Sequence, residues 1–301
     1  MRKALISVVG PTAVGKTKLA IEIAHYFGTE IISADSRQCY REMNIGTAKP
    51  SAEELRRVKH HFINSHSIDD FFSAGAFEKA ALAKLDNLFS ALNLVVMVGG
   101  SGLYVEAVTR GLANIPKINT SIRTELVGEL NSKGLKSLFD RLSSVDPEYA
   151  PLVDKQNPQR IIRALEVFMG TGKPYSFWRS LDAAKRDFEV ISIGLELDRE
   201  ELYKRIDRRM DLMIDKGLFN EADALFQFKD LNSLQTVGYK EIFNYKLGKY
   251  DYDECIRLLK RNSRRYAKRQ LTWFKKNEKT RWFSPNEVGP IRDFIETSLK
   301  N

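Results

Sequence analysis

The stretch GPTAVGKT (residues 10–17) combines two glycines, a lysine and a hydroxyl in the spacing G-x-x-x-x-G-K-[ST]. Glycines let successive backbone N–H groups turn toward an anion, and the lysine adds a point charge. A threonine at the last position binds Mg²⁺ or a phosphate oxygen through its hydroxyl. The pattern therefore predicts a site for a diphosphate or a longer phosphate chain, formed by Gly10, Pro11, Thr12, Ala13, Val14, Gly15, Lys16 and Thr17.

The loop alone does not identify the phosphate compound. An ATPase or a GTPase is expected to carry an apolar strand that ends in a metal-binding aspartate, and a GTPase also an N-K-x-D motif. The best candidate strand, LVVMVGGSG (94–102), ends in glycines, and no N-K-x-D occurs in the chain. These observations argue against a nucleotide switch and leave a small-molecule kinase open.

A second polar segment, SADSRQCY (33–40), lies at the end of a predicted second strand that begins at TEII (29–32). In an open α/β sheet the carboxyl ends of the strands face the ligand crevice. Asp35 in that position suits a general base or a group near magnesium, and the residues after it suit a nucleobase edge or a phosphate. A helix cap is the alternative interpretation of Asp35.

The elements that must position these residues alternate between strands and helices. Apolar runs at 4–9, 93–98 and 188–197 predict strands, and helical spacing follows at 16–27 and 76–92, with Ser73 as a cap. TRWFS (280–284) is a candidate late strand. Alternation of this kind predicts an α/β fold, a P-loop NTPase-like parallel sheet flanked by helices. An all-helical insertion is expected at 117–185, between core segments 1–116 and 186–301.

Composition narrows the function classes. The chain has 301 residues, 43% of them hydrophobic, and a formal net charge of +9. No apolar run is long enough to span a bilayer, and Cys39 and Cys255 lie far apart in sequence. We expect a reduced, cytoplasmic protein, with nothing to indicate more than a monomer. The positive charge fits a nucleic-acid partner without requiring one.

The segment RNSRRYAKRQLTWFKK (261–276) carries seven basic residues and no acidic one. Basic side chains of this kind contact nucleic-acid phosphates, and interleaved aromatics can stack on unpaired bases. We expect the basic residues to contact RNA. For Tyr266, Trp273 and Phe274 we favour packing in the core.

An ordered set of motifs extends this picture: GPTAVGKT (10–17), DSRQ (35–38), MNIGTAKPS (43–51), HHFIN (60–64), VGGSGLYVEAVTRGL (98–112), NPQRIIRALEV (157–167), LYKRIDRRMDLMIDKGLFNEA (202–222), TVGYKE (236–241) and YAKRQLTWF (266–274). Together they closely resemble the bacterial tRNA dimethylallyltransferase family, also called tRNA isopentenyltransferases, over roughly residues 4–284. Ser101 and Asn64 stand where this family often has Thr and Asp, and the first exchange keeps the hydroxyl.

The resemblance implies transfer of a dimethylallyl group from dimethylallyl diphosphate to N6 of the adenosine immediately 3′ of a tRNA anticodon, in tRNAs that read codons beginning with U. Asp35, Lys16 and Thr17 would be catalytic, Thr17 would hold Mg²⁺, and Arg209 would join the glycine loop at the donor diphosphate. The implied contacts to the anticodon stem-loop are Asp35, Ser36, Arg37, Gln38, Ser101, Arg123, Gln159, Arg160, Ile161, Ile162 and Arg163.

Several of these residues have an alternative interpretation as ordinary structural residues. Arg160 and Arg163 could be solvated helix charges, and an intrahelical ion pair would explain Arg205. For the whole chain, an adenylate isopentenyltransferase, a P-loop kinase and a non-catalytic RNA-binding module are the competing functions. The helical insertion and the net charge argue against the first, and the last leaves Lys16, Thr17 and Asp35 without a role.

Overall fold

A computed structural model describes residues 3–181 and 185–300. Within these residues, one parallel sheet of six strands has the order β3-β2-β4-β1-β5-β6. The strands are β1 (Ala4–Val9), β2 (Ile31–Ser33), β3 (His60–His61), β4 (Leu94–Val98), β5 (Glu189–Leu195) and β6 (Arg281–Phe283). The predicted α/β class is confirmed, and TRWFS contributes the edge strand β6.

Helices connect and cover the strands. They are α1 (Lys16–Tyr26), α2 (Ala52–Arg57), α3 (Ala74–Leu88), α4 (Gly102–Thr109), α5 (Thr120–Val145), α6 (Pro158–Thr171), α7 (Tyr175–Ser180), α8 (Arg199–Asp215), α9 (Leu218–Ala224), α10 (Tyr239–Lys246), α11 (Tyr252–Phe274) and α12 (Val288–Lys300), with a 3₁₀ turn at Phe226–Phe228. Ser73 caps α3 as predicted, since its hydroxyl accepts the Ala76 N–H at 3.2 Å. Across the described residues, no helix combines the length and apolarity that crossing a membrane demands.

The central strands β1 and β4 are buried along their whole length. Because side chains alternate across a strand, Ile6 and Val8 of β1 face one layer, formed by α1, α8 and α12. Leu5 and Val9 face the other layer, formed by α3 and α4. Apolar side chains on both faces explain why these strands lack the polar alternation of a half-exposed sheet.

The chain divides into two compact units, the first running to Thr109 and resuming at Arg186, the second spanning Arg110–Lys185. The second unit therefore begins at Arg110, before the position 117 expected from sequence. Its described residues contain no strand, and its core joins leucines of α5 to apolar residues of α6. The helix α5 is interrupted at Gly134, where a φ of 79° breaks the helical backbone.

Candidate active site

The carboxyl ends of β1, β2 and β4 open into a polar crevice in the first unit. The segments that follow these strands supply part of the wall, and the helices α8 and α11 and the loop around Thr47 supply more of it. The lining includes Thr12, Lys16, Thr17, Asp35, Arg37, Gln38, Thr47, Ala48, Gly99, Gly100, Ile206, Arg209, Met210, Met213, Tyr266 and Gln270. The structure thus brings the glycine loop, the Asp35 segment and Arg209 to one place.

The glycine loop needs its glycines for two different reasons. Gly10 has a φ of 143°, and a Cβ there would lie 2.6 Å from the carbonyl oxygen of Leu195. Gly15 adopts a left-handed conformation with φ 109° immediately before α1. This turn directs the amino end of α1, with its unpaired N–H groups and positive dipole end, into the crevice.

Gln270 of α11 joins the glycine loop to the second glycine turn. Its Oε1 accepts the Thr12 N–H at 2.8 Å, and its Nε2 donates to the Gly100 carbonyl at 2.9 Å. The side chain is buried. Gln270 therefore fixes the spacing between the two turns.

Two half-buried cations lie beside the loop. Lys16 Nζ donates to the Pro11 carbonyl at 2.7 Å, and Arg209 Nη2 donates to Thr12 Oγ1 at 2.6 Å. Burial, and then the charge of Arg209, lower the pKa of Lys16 to about 7, against an opposing effect of Asp35. Burial also lowers the pKa of Arg209. An anion bound here would relieve the cost of holding two positive charges together out of water.

Asp35 is held by one carboxylate oxygen only. Oδ1 accepts the N–H groups of Arg37 at 2.9 Å and Gln38 at 3.3 Å, which closes a turn rather than capping a helix. In the part of the chain that the structure describes, no group donates to Oδ2. The carboxylate therefore has a fixed orientation on the crevice wall, with one oxygen available to a ligand.

The predicted neighbours of Asp35 form a connected set. Ser101 Oγ accepts the Ser36 N–H at 2.9 Å and donates to Ser36 Oγ at 3.1 Å. Gln38 Nε2 donates to the carbonyls of Thr47 at 3.1 Å and Ala48 at 3.2 Å. Hydroxyl and amide groups are thus assembled around the carboxylate from three separate segments of the sequence.

The loop that holds Gln38 is itself anchored by Glu221 of α9. The Glu221 carboxylate accepts three consecutive backbone N–H groups, from Asn44 at 2.9 Å, Ile45 at 2.8 Å and Gly46 at 2.9 Å. It also accepts the Tyr239 hydroxyl at 2.6 Å. Sequence reasoning missed this anchor, because no local signal marks partners that lie more than 170 positions apart.

One wall of the crevice is apolar and was not predicted. Ile206, Met210 and Met213 of α8 line it, together with the Tyr266 ring from α11.

The expectation that Tyr266 packs in the core is wrong, since it lines the crevice, where burial raises the pKa of its hydroxyl. The expectation is confirmed for Phe274, which is buried, and for Trp273, which packs against the same cluster. The i, i+4 spacing of Tyr266 and Gln270 is the signal that could have revealed a shared face.

In the second unit, Arg123 and Arg163 pair with Glu166, and Gln159 joins them through Arg123. Arg123 Nη1 and Arg163 Nη1 donate to Glu166 Oε2 at 3.2 and 3.1 Å, and Arg123 Nη2 donates to Gln159 Oε1 at 2.6 Å. The interpretation of Arg163 as a merely solvated charge is therefore wrong, whereas Arg160 is exposed.

The other two residues of this predicted tRNA-contact stretch face inward. Ile161 and Ile162 are fully buried in the core of the second unit. Their side chains cannot reach RNA without unpacking that core. Any contact of residues 159–163 with RNA falls to the polar side chains alone.

Several charged residues are satisfied within the fold. Arg205 pairs with Glu201 at 2.8 Å, which confirms the intrahelical alternative. Arg264, from the basic segment, forms a bidentate pair with Asp207 at 2.6 and 2.7 Å. Among residues 3–181 and 185–300, no three His, Cys, Asp or Glu side chains are grouped to hold a metal ion.

Comparisons with known proteins identify a family and close sequence relatives of this chain. The family model "IPP transferase" matches residues 38–277. The chain is 48% identical to a tRNA dimethylallyltransferase of Cytophaga hutchinsonii, over 100% of this chain and 99% of that protein. It is 49% identical to one of Christiangramia forsetii, over 99% of each.

Solved structures give the same result. A full-length tRNA isopentenylpyrophosphate transferase of Bacillus halodurans superimposes with a TM-score of 0.73 at 40% identity, covering 100% of this chain and 97% of that one. A tRNA isopentenylpyrophosphate transferase of Staphylococcus epidermidis has a TM-score of 0.71 at 35% identity, covering 99% of both chains.

Proposed function

The chain belongs to the IPP transferase family, and from this premise we propose that it is a tRNA dimethylallyltransferase. It transfers the dimethylallyl group of dimethylallyl diphosphate to N6 of the adenosine immediately 3′ of the anticodon, in tRNAs that read codons beginning with U. The products are diphosphate and N6-isopentenyladenosine. The observation that carries the proposal is one crevice with an anion-binding loop, an oriented carboxylate and an apolar wall.

The glycine loop holds the diphosphate, which is the leaving group. As the bond between C1 and oxygen breaks, its electron pair leaves with the diphosphate and negative charge grows there. Lys16 and Arg209, which both contact the glycine loop, and the N–H groups at the start of α1 would stabilise that charge. Preorganised donors stabilise developing charge without reorganising, and a single one contributes about 3–4 kcal/mol.

The apolar wall receives the hydrocarbon end of the donor. Ile206, Met210 and Met213 offer branched and flexible aliphatic surface along α8. Arg209 lies on the same helix and reaches the glycine loop. One helix thus supports both ends of an amphipathic donor.

Asp35 acts as the base. The exocyclic amine of adenine is a poor nucleophile, and its nitrogen must lose a proton as it bonds to C1. Oδ2 accepts that proton, while Oδ1 stays fixed to the N–H groups of Arg37 and Gln38. Ser36, Gln38 and Ser101 surround the carboxylate and contact the edge of the base.

A magnesium ion fits the oxygen groups of the crevice. The Thr17 hydroxyl would hold it, and the Asp35 carboxylate lines the same crevice. Since the described residues offer no cluster of three acidic or histidine ligands, its other ligands would be diphosphate oxygens and water, a set that Mg²⁺ accepts readily. When bound, the ion neutralises charge on the diphosphate.

Transfer RNA is the acceptor. In the second unit, Arg123, Gln159, Arg160 and Arg163 offer donors for RNA, and in the first unit the basic helix α11 offers phosphate contacts. The net charge of +9 favours such a partner over a small metabolite. We also propose a monomer, because one chain supplies the whole crevice; light scattering that gave a stable dimer would contradict this.

The test is the mass of the nucleosides of an anticodon stem-loop after incubation with purified protein, Mg²⁺ and dimethylallyl diphosphate. We expect the adenosine 3′ of the anticodon to gain one isopentenyl group, with one diphosphate released per group transferred. An unmodified stem-loop beside modified adenosine monophosphate would point to an adenylate isopentenyltransferase. Phosphoryl transfer from ATP to a small acceptor, without prenylation, would point to a kinase.

A further inference from the structure

Two arginine side chains, Arg123 of α5 and Arg163 of α6, meet at one buried carboxylate, Glu166, whose side chain is 8% exposed. Its Oε2 accepts from both Arg123 and Arg163, at 3.2 and 3.1 Å. Gln159 joins the group through its Oε1, which accepts from Arg123 at 2.6 Å. Every partner of Glu166 in this group is one of the residues expected to contact tRNA.

The charges of this cluster do not balance. A buried carboxylate is stable only when it is paired, and here two guanidinium groups share one acid. The Arg123 and Arg163 side chains remain 42% and 41% exposed, so the cluster keeps one surplus positive charge near the surface. Each guanidinium has five N–H donors, and most of them stay available to an outside partner.

The bonding of Gln159 also has a direction. Because its Oε1 accepts from Arg123, the Nε2 group is the end that can serve a ligand, and it can only donate. Arg123 and Arg163 thus carry donors only, and the free end of the Gln159 amide is also a donor. Phosphate oxygens and the acceptor atoms of unpaired bases complement such a surface.

We propose that Glu166 is a positioning residue for RNA: it fixes the two guanidinium groups and, through Arg123, the amide of Gln159, as one preformed donor surface for the anticodon stem-loop. Long arginine side chains lose rotamer freedom when they bind, and a carboxylate that orders them beforehand removes part of that cost. The proposal rests on the proposed function only for the identity of the RNA.

The second unit provides a matched control in Glu129 of α5. Its carboxylate, 15% exposed, accepts from Arg141 at 3.1 Å and from Ser137 at 3.2 Å. None of these partners is an expected RNA contact. Glu166→Gln and Glu129→Gln therefore make the same change of charge and both loosen an arginine, in the same unit.

The experiment compares steady-state kinetics and stem-loop binding for the two variants and the unmutated enzyme. For Glu166→Gln we expect the stem-loop KM and Kd to rise about tenfold, with kcat and the donor KM within twofold of the unmutated enzyme. Glu129→Gln should keep all four values within twofold. Net charge alone predicts the opposite sign, because each substitution removes a negative charge and would strengthen RNA binding.

A double-mutant cycle tests whether Glu166 acts through Arg123. Arg123→Gln alone should weaken binding, and adding Glu166→Gln should weaken it by much less than Glu166→Gln does in the unmutated chain. Additive losses, or a Glu166→Gln variant that binds the stem-loop as tightly as Glu129→Gln, would overturn the proposal. Urea unfolding curves separate a general loss of stability from a loss of binding.

The outcomes also distinguish failure of the proposed function. The binding arm uses a fluorescent stem-loop without donor, and it reports on Glu166 even if no prenyl group is transferred. Selective weakening by Glu166→Gln in an enzyme that leaves RNA unmodified would support the positioning role and reject the reaction. Active enzyme with no difference between the two variants would do the reverse.

Discussion

The Glu221 anchor gives the prediction that follows most completely from the geometry. Glu221 Oε2 accepts the N–H groups of Asn44 and Ile45, while Oε1 accepts those of Gly46 and the Tyr239 hydroxyl. In Glu221→Gln one oxygen becomes an NH₂ group, which would face two donors. Two hydrogen bonds to a charged acceptor are lost, and each contributes about 1.5–3 kcal/mol.

We therefore expect Glu221→Gln to lower the free energy of unfolding by about 3 kcal/mol, the lower end of that sum, because water can reach the exposed Asn44. Tyr239→Phe removes one donor of four and should cost about 1–2 kcal/mol. Glu254→Gln is the matched control, because it removes the same charge from a solvent-exposed ion pair with Arg257.

The functional consequence passes through Gln38. The anchored loop supplies the Thr47 and Ala48 carbonyls that orient the Gln38 amide beside Asp35. Glu221→Gln should lower kcat/KM for the stem-loop about tenfold, at a temperature where the variant is folded, with donor affinity retained. The assays are urea unfolding, steady-state kinetics and donor titration calorimetry. A variant as stable and as active as Glu254→Gln would refute the reasoning.

Three further predictions concern the diphosphate site. Because burial lowers the Lys16 pKa to about 7, its ammonium is lost as the pH rises, and the donor Kd should increase about 50-fold from pH 7 to pH 9. A donor Kd that calorimetry found to be independent of pH would contradict this. The Lys16→Arg variant, which stays charged, should show such a pH-independent Kd. Arg209→Met removes a donor beside Thr12 and should lower the single-turnover rate constant about 10²–10³-fold, while shifting the Lys16-linked pH dependence to higher pH. Thr17→Val should raise the Mg²⁺ concentration for half-maximal rate at least about tenfold, and Thr17→Ser should restore it; equal requirements in both variants would remove Thr17 from the metal site.

The sequence identified the parts of the site that depend on local chemistry. A glycine loop between a strand and a helix, and an aspartate after an apolar strand, are legible because spacing and chain direction determine where they lie. Both the loop and the aspartate line the crevice. Lys16 donates to the Pro11 carbonyl, and Asp35 accepts two backbone N–H groups in a turn. The hydroxyl of Ser73 caps α3 for the same local reason.

What the sequence could not show depends on distant packing. Gln270 meets Thr12 across 258 positions, and no pattern in either segment specifies the other. Met210 and Met213 have the apolar spacing of an ordinary core helix, so the sequence could not predict that they line a crevice. Ile161 and Ile162 show a different limit. The motif was assigned to tRNA contact as a whole, but these two side chains are buried in the core.

The most direct test of the central claim measures donor affinity and single-turnover rate side by side for Asp35→Asn. The asparagine keeps an oxygen for the Arg37 and Gln38 N–H groups, so the turn survives and only the proton acceptor is lost. We predict that the rate of prenyl transfer to the stem-loop falls about 10²–10⁴-fold while dimethylallyl diphosphate binds as tightly as before. A variant that transfers the group at close to the original rate, or one that no longer binds the donor, would contradict the division of labour between carboxylate and glycine loop.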